Sequence, residues 1–267
     1  MKKLFTLLAL TITFSMNAQV STNSTSPTGT YASAMGNGTT ASGNESTAMG
    51  YDTTASGEAS TAMGYSTTAS AQGSTAMGRG TTATGTFASA MGYNTTASDF
   101  GSLVIGQYNS SGSSATSANS FSTSAPAFVI GNGTNNSNKS DAFKVMFNGN
   151  ATVSNDLTVS GDVVISSDAR LKSNIVSLGS TLPKLLQIDG KSYEMKGKQK
   201  IGVLAQEIQE VFPELVSEDD NEMLAVNYQG LVPVLINALK EQQSEIDRLK
   251  KQEKRIERLE NLVANID

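Results

Sequence analysis

The dipeptide Met-Gly returns at Met35-Gly36, Met49-Gly50, Met63-Gly64, Met77-Gly78 and Met91-Gly92, and Ile105-Gly106 follows at the same step of fourteen residues. Thr-Thr-Ala keeps that step from Thr39 through Thr53, Thr67, Thr81 and Thr95. A register this strict means a unit of fixed length stacked on copies of itself, and low-complexity disorder would have no need of it. One unit reads Ser-Thr-Ala-Met-Gly-Tyr-Asp-Thr-Thr-Ala-Ser-Gly-Glu-Ala. It holds two short alternating stretches, Thr-Ala-Met and Thr-Ala-Ser, each closed by a glycine or a small polar residue suited to a turn. The pattern predicts a β-solenoid in which small side chains let coils stack closely and Met or Ile forms one larger inward plug per coil. Large apolar groups are scarce, with 6% aromatics and no tryptophan. One column of such coils therefore has little apolar surface to bury, and a bundle of several chains is expected.

The repeats resemble the head of trimeric autotransporter adhesins, whose unit is built on Ser-Val-Ala-Ile-Gly. Ser102-Leu103-Val104-Ile105-Gly106 comes nearest, and the other units carry Thr-Ala-Met-Gly, a polar departure. The resemblance spans about residues 31–109 and implies a trimeric left-handed parallel β-roll on a surface-exposed fibre. Tyr51, Tyr65 and Tyr93, each just after Met-Gly, form a ladder of the kind that is ordinarily structural. The Thr, Ser and Asn of the repeat present a polar face that any solvated fibre has, so a glycan or matrix ligand is left unspecified.

Lys2 and Lys3 precede the apolar run Leu4 to Phe14, which ends in Ser15-Met16-Asn17-Ala18-Gln19. This layout is that of a secretory signal peptide over residues 1–19, cleaved after Ala18 or Gln19. Export is expected, to the cell surface or the extracellular space, with the periplasm as the alternative. With no cysteine and no histidine in 267 residues, no disulfide, lipoprotein anchor, metal or cofactor is expected. A net charge of -5 without any basic stripe argues against nucleic-acid binding. No later stretch is apolar enough to span a bilayer, and an ending in a coiled coil rather than membrane strands implies no integral membrane anchor.

After the head, residues 20–109, the Ser-rich segment 110–126 reads as a linker or irregular neck. Strand-like segments return over 127–166, at Ala127–Gly131, Ala142–Phe147, Ala151–Val153 and Leu157–Val159, with Asn132-Gly133 and Asn148-Gly149 as turns. This is the β pattern of a fibre stalk. At Ser167 lysine, glutamate, leucine and isoleucine rise, which marks a separate module.

That module opens with Ser167-Asp168-Ala169-Arg170-Leu171-Lys172. A serine nucleophile needs a base, and without histidine the substitute is a lysine. Residues five apart share neither a helical face nor a side of a straight strand, so a Ser167–Lys172 dyad needs a turn or forms across a subunit boundary. A free lysine titrates near about 10.4, so such a base needs desolvation or a cationic neighbour, for which Arg170 is the candidate. The plainer reading is an acidic–basic turn with Asp168 capping and Lys172 solvated.

Two further landmarks follow, Lys200–Ile208 with Phe212-Pro213, and Val226–Glu241. In this order the three resemble the C-terminal intramolecular chaperone of endosialidases and other tail-spike proteins, a self-cleaving serine peptidase module, over residues 167–267. The resemblance implies Ser167 as nucleophile, Lys172 as general base and Ser166–Ser167 as the bond cut. Gly202–Glu207 reads as a strand or helix start packed in the core, and Gln206 and Glu207 are not expected to be catalytic.

A helix is expected from about Leu231 to Ile266. Leu235, Leu239, Ile246, Leu249, Ile256, Leu259, Val263 and Ile266 mostly fit heptad spacing, with a slip near Glu253. The expected fold is thus a mainly β N-terminal part, a small α+β chaperone over 167–230 and a trimeric coiled coil over 231–267. The expected function is a secreted homotrimeric fibre whose tail registers three chains and then cuts itself away. The alternative is a permanently joined structural adhesin whose tail only trimerises. A glycan-degrading spike has no support, since the head has few carboxylates and no aromatic-rich cleft.

Overall fold

A computed structural model describes residues 22–219 and 222–265. The signal-peptide segment, residues 1–19, lies outside them, as does Ile266. The chain forms two compact units that divide between Val163 and Val164.

In the first unit each fourteen-residue repeat makes one coil. A five-residue strand, such as Thr47–Tyr51, is followed by a two-residue strand, such as Thr54–Ala55. Like strands of successive coils pair in parallel and in register: Thr47 with Thr61, Ala48 with Ala62, Met49 with Met63. Six long strands of the repeat, from Ser33–Asn37 to Leu103–Gln107, stack this way, and Pro126–Asn132 adds in parallel to the last of them. Asp141–Met146 and Ala151–Val153 then extend the sheet antiparallel. The short strands form a second, six-stranded sheet. Backbone hydrogen bonds run from coil to coil, as from Thr54 N to Thr67 O at 2.8 Å.

Two features of the repeat follow from this stacking. The glycine after each methionine lies in the left-handed region, at φ +120 to +126 for Gly36, Gly50, Gly64 and Gly78. A Cβ on Gly64 would also lie 2.0 Å from the carbonyl oxygen of Gly78. The corner residues Asp52, Ser66, Gly80 and Asn94 share positive φ as well, which suits short polar side chains and glycine.

The expected inward methionine plug is corrected. Strand alternation puts Ala48, Ala62, Ala76 and Ala90 fully inside, and the methionine one residue on faces out, with Met63 38% exposed. The interior is a column of Ala, Ser and Thr between two closely spaced sheets, closed by Val104 and Val129. Ser46, Ser60 and Ser74 satisfy their hydroxyls on Gly43, Gly57 and Ala71 carbonyls. The hydroxyls of Thr39, Thr53, Thr67, Thr81 and Thr95 are buried without a partner.

The Ser-rich segment is irregular, yet it is held against the last coils rather than spanning a gap. Ser98 and Phe100 donate to the carbonyls of Gly112 and Ser117, and buried Asp99 accepts from Thr116 N and Ser117 N. Its small polar residues suit backbone capping of an open solenoid end.

In the second unit Lys191–Met195 and Lys198–Gly202 form a hairpin, as do Val216–Glu218 and Leu224–Val226. Lys196 and Gly197, both at positive φ, make the two-residue turn of the first. Helix Ala205–Val211 follows, its Ile208 fully buried. Ile208, Phe212 and Val234 are the centre of a small core packed by Leu185, Ile188, Val203, Leu215 and Leu231. The last helix spans Leu231–Ala264. Only its first turns meet this core. Farther along, Leu249, Ile256 and Leu259 are each more than half exposed. No helix among the described residues is long and apolar enough to cross a membrane.

Candidate functional site

Ser167 and Lys172 are brought together within one chain by a turn. Ala169–Leu171 forms a single 3-10 turn whose N-cap is Asp168. Asp168 Oδ1 accepts from Arg170 N at 2.8 Å, which starts the turn, and Lys172 N closes it on Ala169 O at 3.1 Å. The turn reverses the chain enough for Lys172 Nζ to donate to Ser167 Oγ at 2.7 Å. The separation of five, which no regular helix or strand could close, is closed by that one turn.

Arg170, the candidate cationic neighbour of Lys172, is engaged by Asp168. Its guanidinium forks onto Asp168, with Nε to Oδ1 at 3.0 Å and Nη2 to Oδ2 at 2.7 Å. The Arg170 guanidinium and backbone N–H hold the Asp168 carboxyl below the usual carboxylate range. The cap of the plainer reading and the contact of the catalytic one are therefore both present. Ser166, Ser167 and Lys172 are exposed in the single chain. So are Val164, Ile165, Leu171, Ile175 and Val176 around them, an apolar stretch with no cover of its own.

Two carboxylates organise the core behind this segment. Glu207, from the second landmark, meets Lys191 Nζ at 3.1 Å and accepts from Asp189 N at 3.2 Å. Its role is to hold the hairpin to helix Ala205–Val211, in keeping with the core reading of that motif. Glu241, on the long helix, accepts from Thr181 N at 2.6 Å, Ser180 Oγ at 2.8 Å and Leu182 N at 3.3 Å. It caps the short helix Leu182–Leu185, whose own N-cap residue, Thr181, makes no side-chain capping bond and donates its hydroxyl to Val234 O instead. The Thr181 N–H and the Ser180 hydroxyl hold its carboxyl below the usual range. Sequence reasoning quoted Glu241 as the end of a motif and gave it no role, because a cap supplied across 60 residues leaves no local signal.

In the solenoid two rungs of the tyrosine ladder stack ring on ring. Tyr51 stacks on Tyr65 with centroids 5.0 Å apart and planes 9° off parallel. That is about the spacing of neighbouring strands.

A family model described as the YadA head domain repeat matches residues 28–53, 55–81 and 83–109. A second, described as the chaperone of endosialidase, matches residues 167–217 and stops short of the long helix. No curated protein matches the chain. The chain carries YadA-type head repeats followed by an endosialidase-type chaperone domain, the order of parts of an adhesin- or fibre-like protein.

Proposed function

We propose that the chain is the subunit of an exported homotrimeric surface fibre, whose C-terminal module aligns three chains and then cuts the Ser166–Ser167 bond. The head is residues 20–109, the stalk 127–166, the peptidase core 167–230 and the coiled coil 231–267. The observation that carries cleavage is the 2.7 Å contact from Lys172 Nζ to Ser167 Oγ at the first residue of the chaperone match. Assembly is supported by outward methionines along the head and by the uncovered apolar stripe of the long helix.

Lys172 as the neutral amine takes the Ser167 hydroxyl proton, and Oγ attacks the carbonyl carbon of Ser166. The tetrahedral centre expels the Ser167 nitrogen, which keeps its hydrogen and gains the proton from Lys172. The amide becomes an ester, and water then hydrolyses it to a Ser166 carboxylate and the free hydroxyl and amine of Ser167. Lys172 lies open to water in one chain. Apolar cover from a neighbouring chain would favour the neutral base. The cut therefore waits for assembly.

A denaturing gel of full-length protein tests this. Two fragments are expected, the smaller beginning at Ser167 by N-terminal sequencing, and Ser167→Ala and Lys172→Met should each leave one band. A single uncut band from a folded trimer of the unaltered chain overturns cleavage. It would favour the second reading, a permanent adhesin, to which the solvent exposure of the dyad lends support.

A further inference from the structure

Between Thr22 and Asn138 the chain has one basic residue, Arg79. It stands in the column that holds Tyr51, Tyr65 and Tyr93 in other coils, paired in register with Tyr65 below and Tyr93 above. Its guanidinium carbon lies 5.3 Å from the Tyr65 ring centroid and 5.6 Å from that of Tyr93. The planar cation replaces one ring of the ladder and is held between two others. No carboxylate among the described residues forms an ion pair with it. The acids of nearby coils are engaged elsewhere: Glu58 with Gln72, Asp52 with Ser66, and Asp99 inside the capped end. Beyond Tyr93 the column position is Gln107, and Tyr108, one residue on, meets the Tyr93 ring edge-on at 5.2 Å while its hydroxyl accepts from Asn94 Nδ2 at 2.9 Å.

Structure alone does not require an arginine here. A tyrosine would complete the ladder, as Tyr51 and Tyr65 do one coil below. The guanidinium carbon lies between the two rings and Arg79 is exposed, so its N–H edge is open to a ligand. That edge is a fork of donors matched to two acceptor oxygens on one atom, as in a carboxylate or sulfate. The rings remove most of the side-chain freedom that binding would otherwise freeze. Tyrosine hydroxyls and the Asn94 amide beside it offer the neutral hydrogen bonding that sugar hydroxyls need.

We infer that Arg79, with Tyr65 and Tyr93, is a recognition site for an acidic polysaccharide bearing carboxylate or sulfate groups. A repeating anion suits it, since an assembled fibre would present the site several times and gain by avidity. The inference does not depend on self-cleavage.

Full-length protein is tested by surface plasmon resonance against immobilised polygalacturonate, dextran sulfate and neutral dextran. Binding to at least one acidic polymer and none to dextran is expected, weakening as salt rises. The polymer that binds distinguishes carboxylate from sulfate. Arg79→Tyr, which completes the ladder, should weaken binding at least tenfold with an unchanged melting temperature, and Arg79→Lys should fall between. If Arg79→Tyr fails to fold, Arg79→Gln takes its place with the same expectation. Absence of binding to both acidic polymers, or binding unchanged by the substitution, overturns the site. A substitution that shifts the sedimentation coefficient overturns it too, because the column would then face another copy of the chain.

Discussion

The repeat is legible one residue at a time. Gly64 combines a φ of +126 with a Cβ position 2.0 Å from the Gly78 carbonyl oxygen, so alanine there both strains its own backbone and pushes the next coil away. Gly64→Ala should lower the melting temperature of the head, at a cost of at least about 1–3 kcal/mol from the backbone conformation alone. Calorimetry of the full chain measures it. Thr67 makes the opposite case. Its hydroxyl is buried with no partner, and valine keeps the branched shape while removing the orphaned group. Thr67→Val should therefore raise the melting temperature, within the roughly 1–3 kcal/mol that an unsatisfied buried group costs. A lower melting temperature would mean that the hydroxyl has a partner in the assembled fibre. Alternation shows that Ala48 and Met49 face opposite sides of the strand, and so much is readable from sequence. Which side is interior is not, because it depends on how closely the two sheets approach.

Elements are where local and distant causes separate. The turn at Ala169–Leu171 is local: Asp168 caps it and Arg170 clasps the cap, and both lie within the hexapeptide. The short helix Leu182–Leu185 is not, since Glu241 on the long helix supplies its cap. The folded-state titration of Glu241 lies below its ordinary value, chiefly through Thr181 N–H and then the Ser180 hydroxyl. A depressed carboxylate contributes stability that is present above its unfolded-state pKa and is lost as pH falls through the folded one. The second unit should thus keep this contribution at neutral pH and lose it on acidification below the ordinary glutamate range. Glu241→Gln should melt earlier than the unaltered protein at pH 7, and the difference should shrink in acid. Melts followed by circular dichroism across pH 7 to 3 read this, and a difference independent of pH would show that the charge is not what matters.

In the proposed fibre, a head that cannot choose its register is joined to a tail that would set it. Every coil offers the same backbone ladder, so a slip by one repeat leaves most contacts intact, and aligning chains from the head alone is slow and ambiguous. The long helix carries its leucines and isoleucines uncovered, as Leu249 at 51% and Ile256 at 55% exposure show, and its apolar spacing does not repeat the fourteen-residue unit. Leu249→Glu with Ile256→Glu should disperse the assembly in sedimentation and also suppress the cut before Ser167, although neither residue is near the dyad. Cleavage at the unaltered rate in a monomeric double variant would show that one chain suffices.

By itself the sequence determined the coil, its period, the in-register stacking and the long helix, because each rests on spacing that a few neighbouring residues express. It also singled out Ser167 and Lys172, but left open whether a turn or a second chain joins them. Tertiary structure decided that a capped 3-10 turn does so, that alanine and not methionine fills the solenoid, that the Ser-rich segment lies on the last coils, and that Glu241 holds a helix 60 residues away. Those depend on distances between elements, and side-chain volume and charge order alone do not encode such distances.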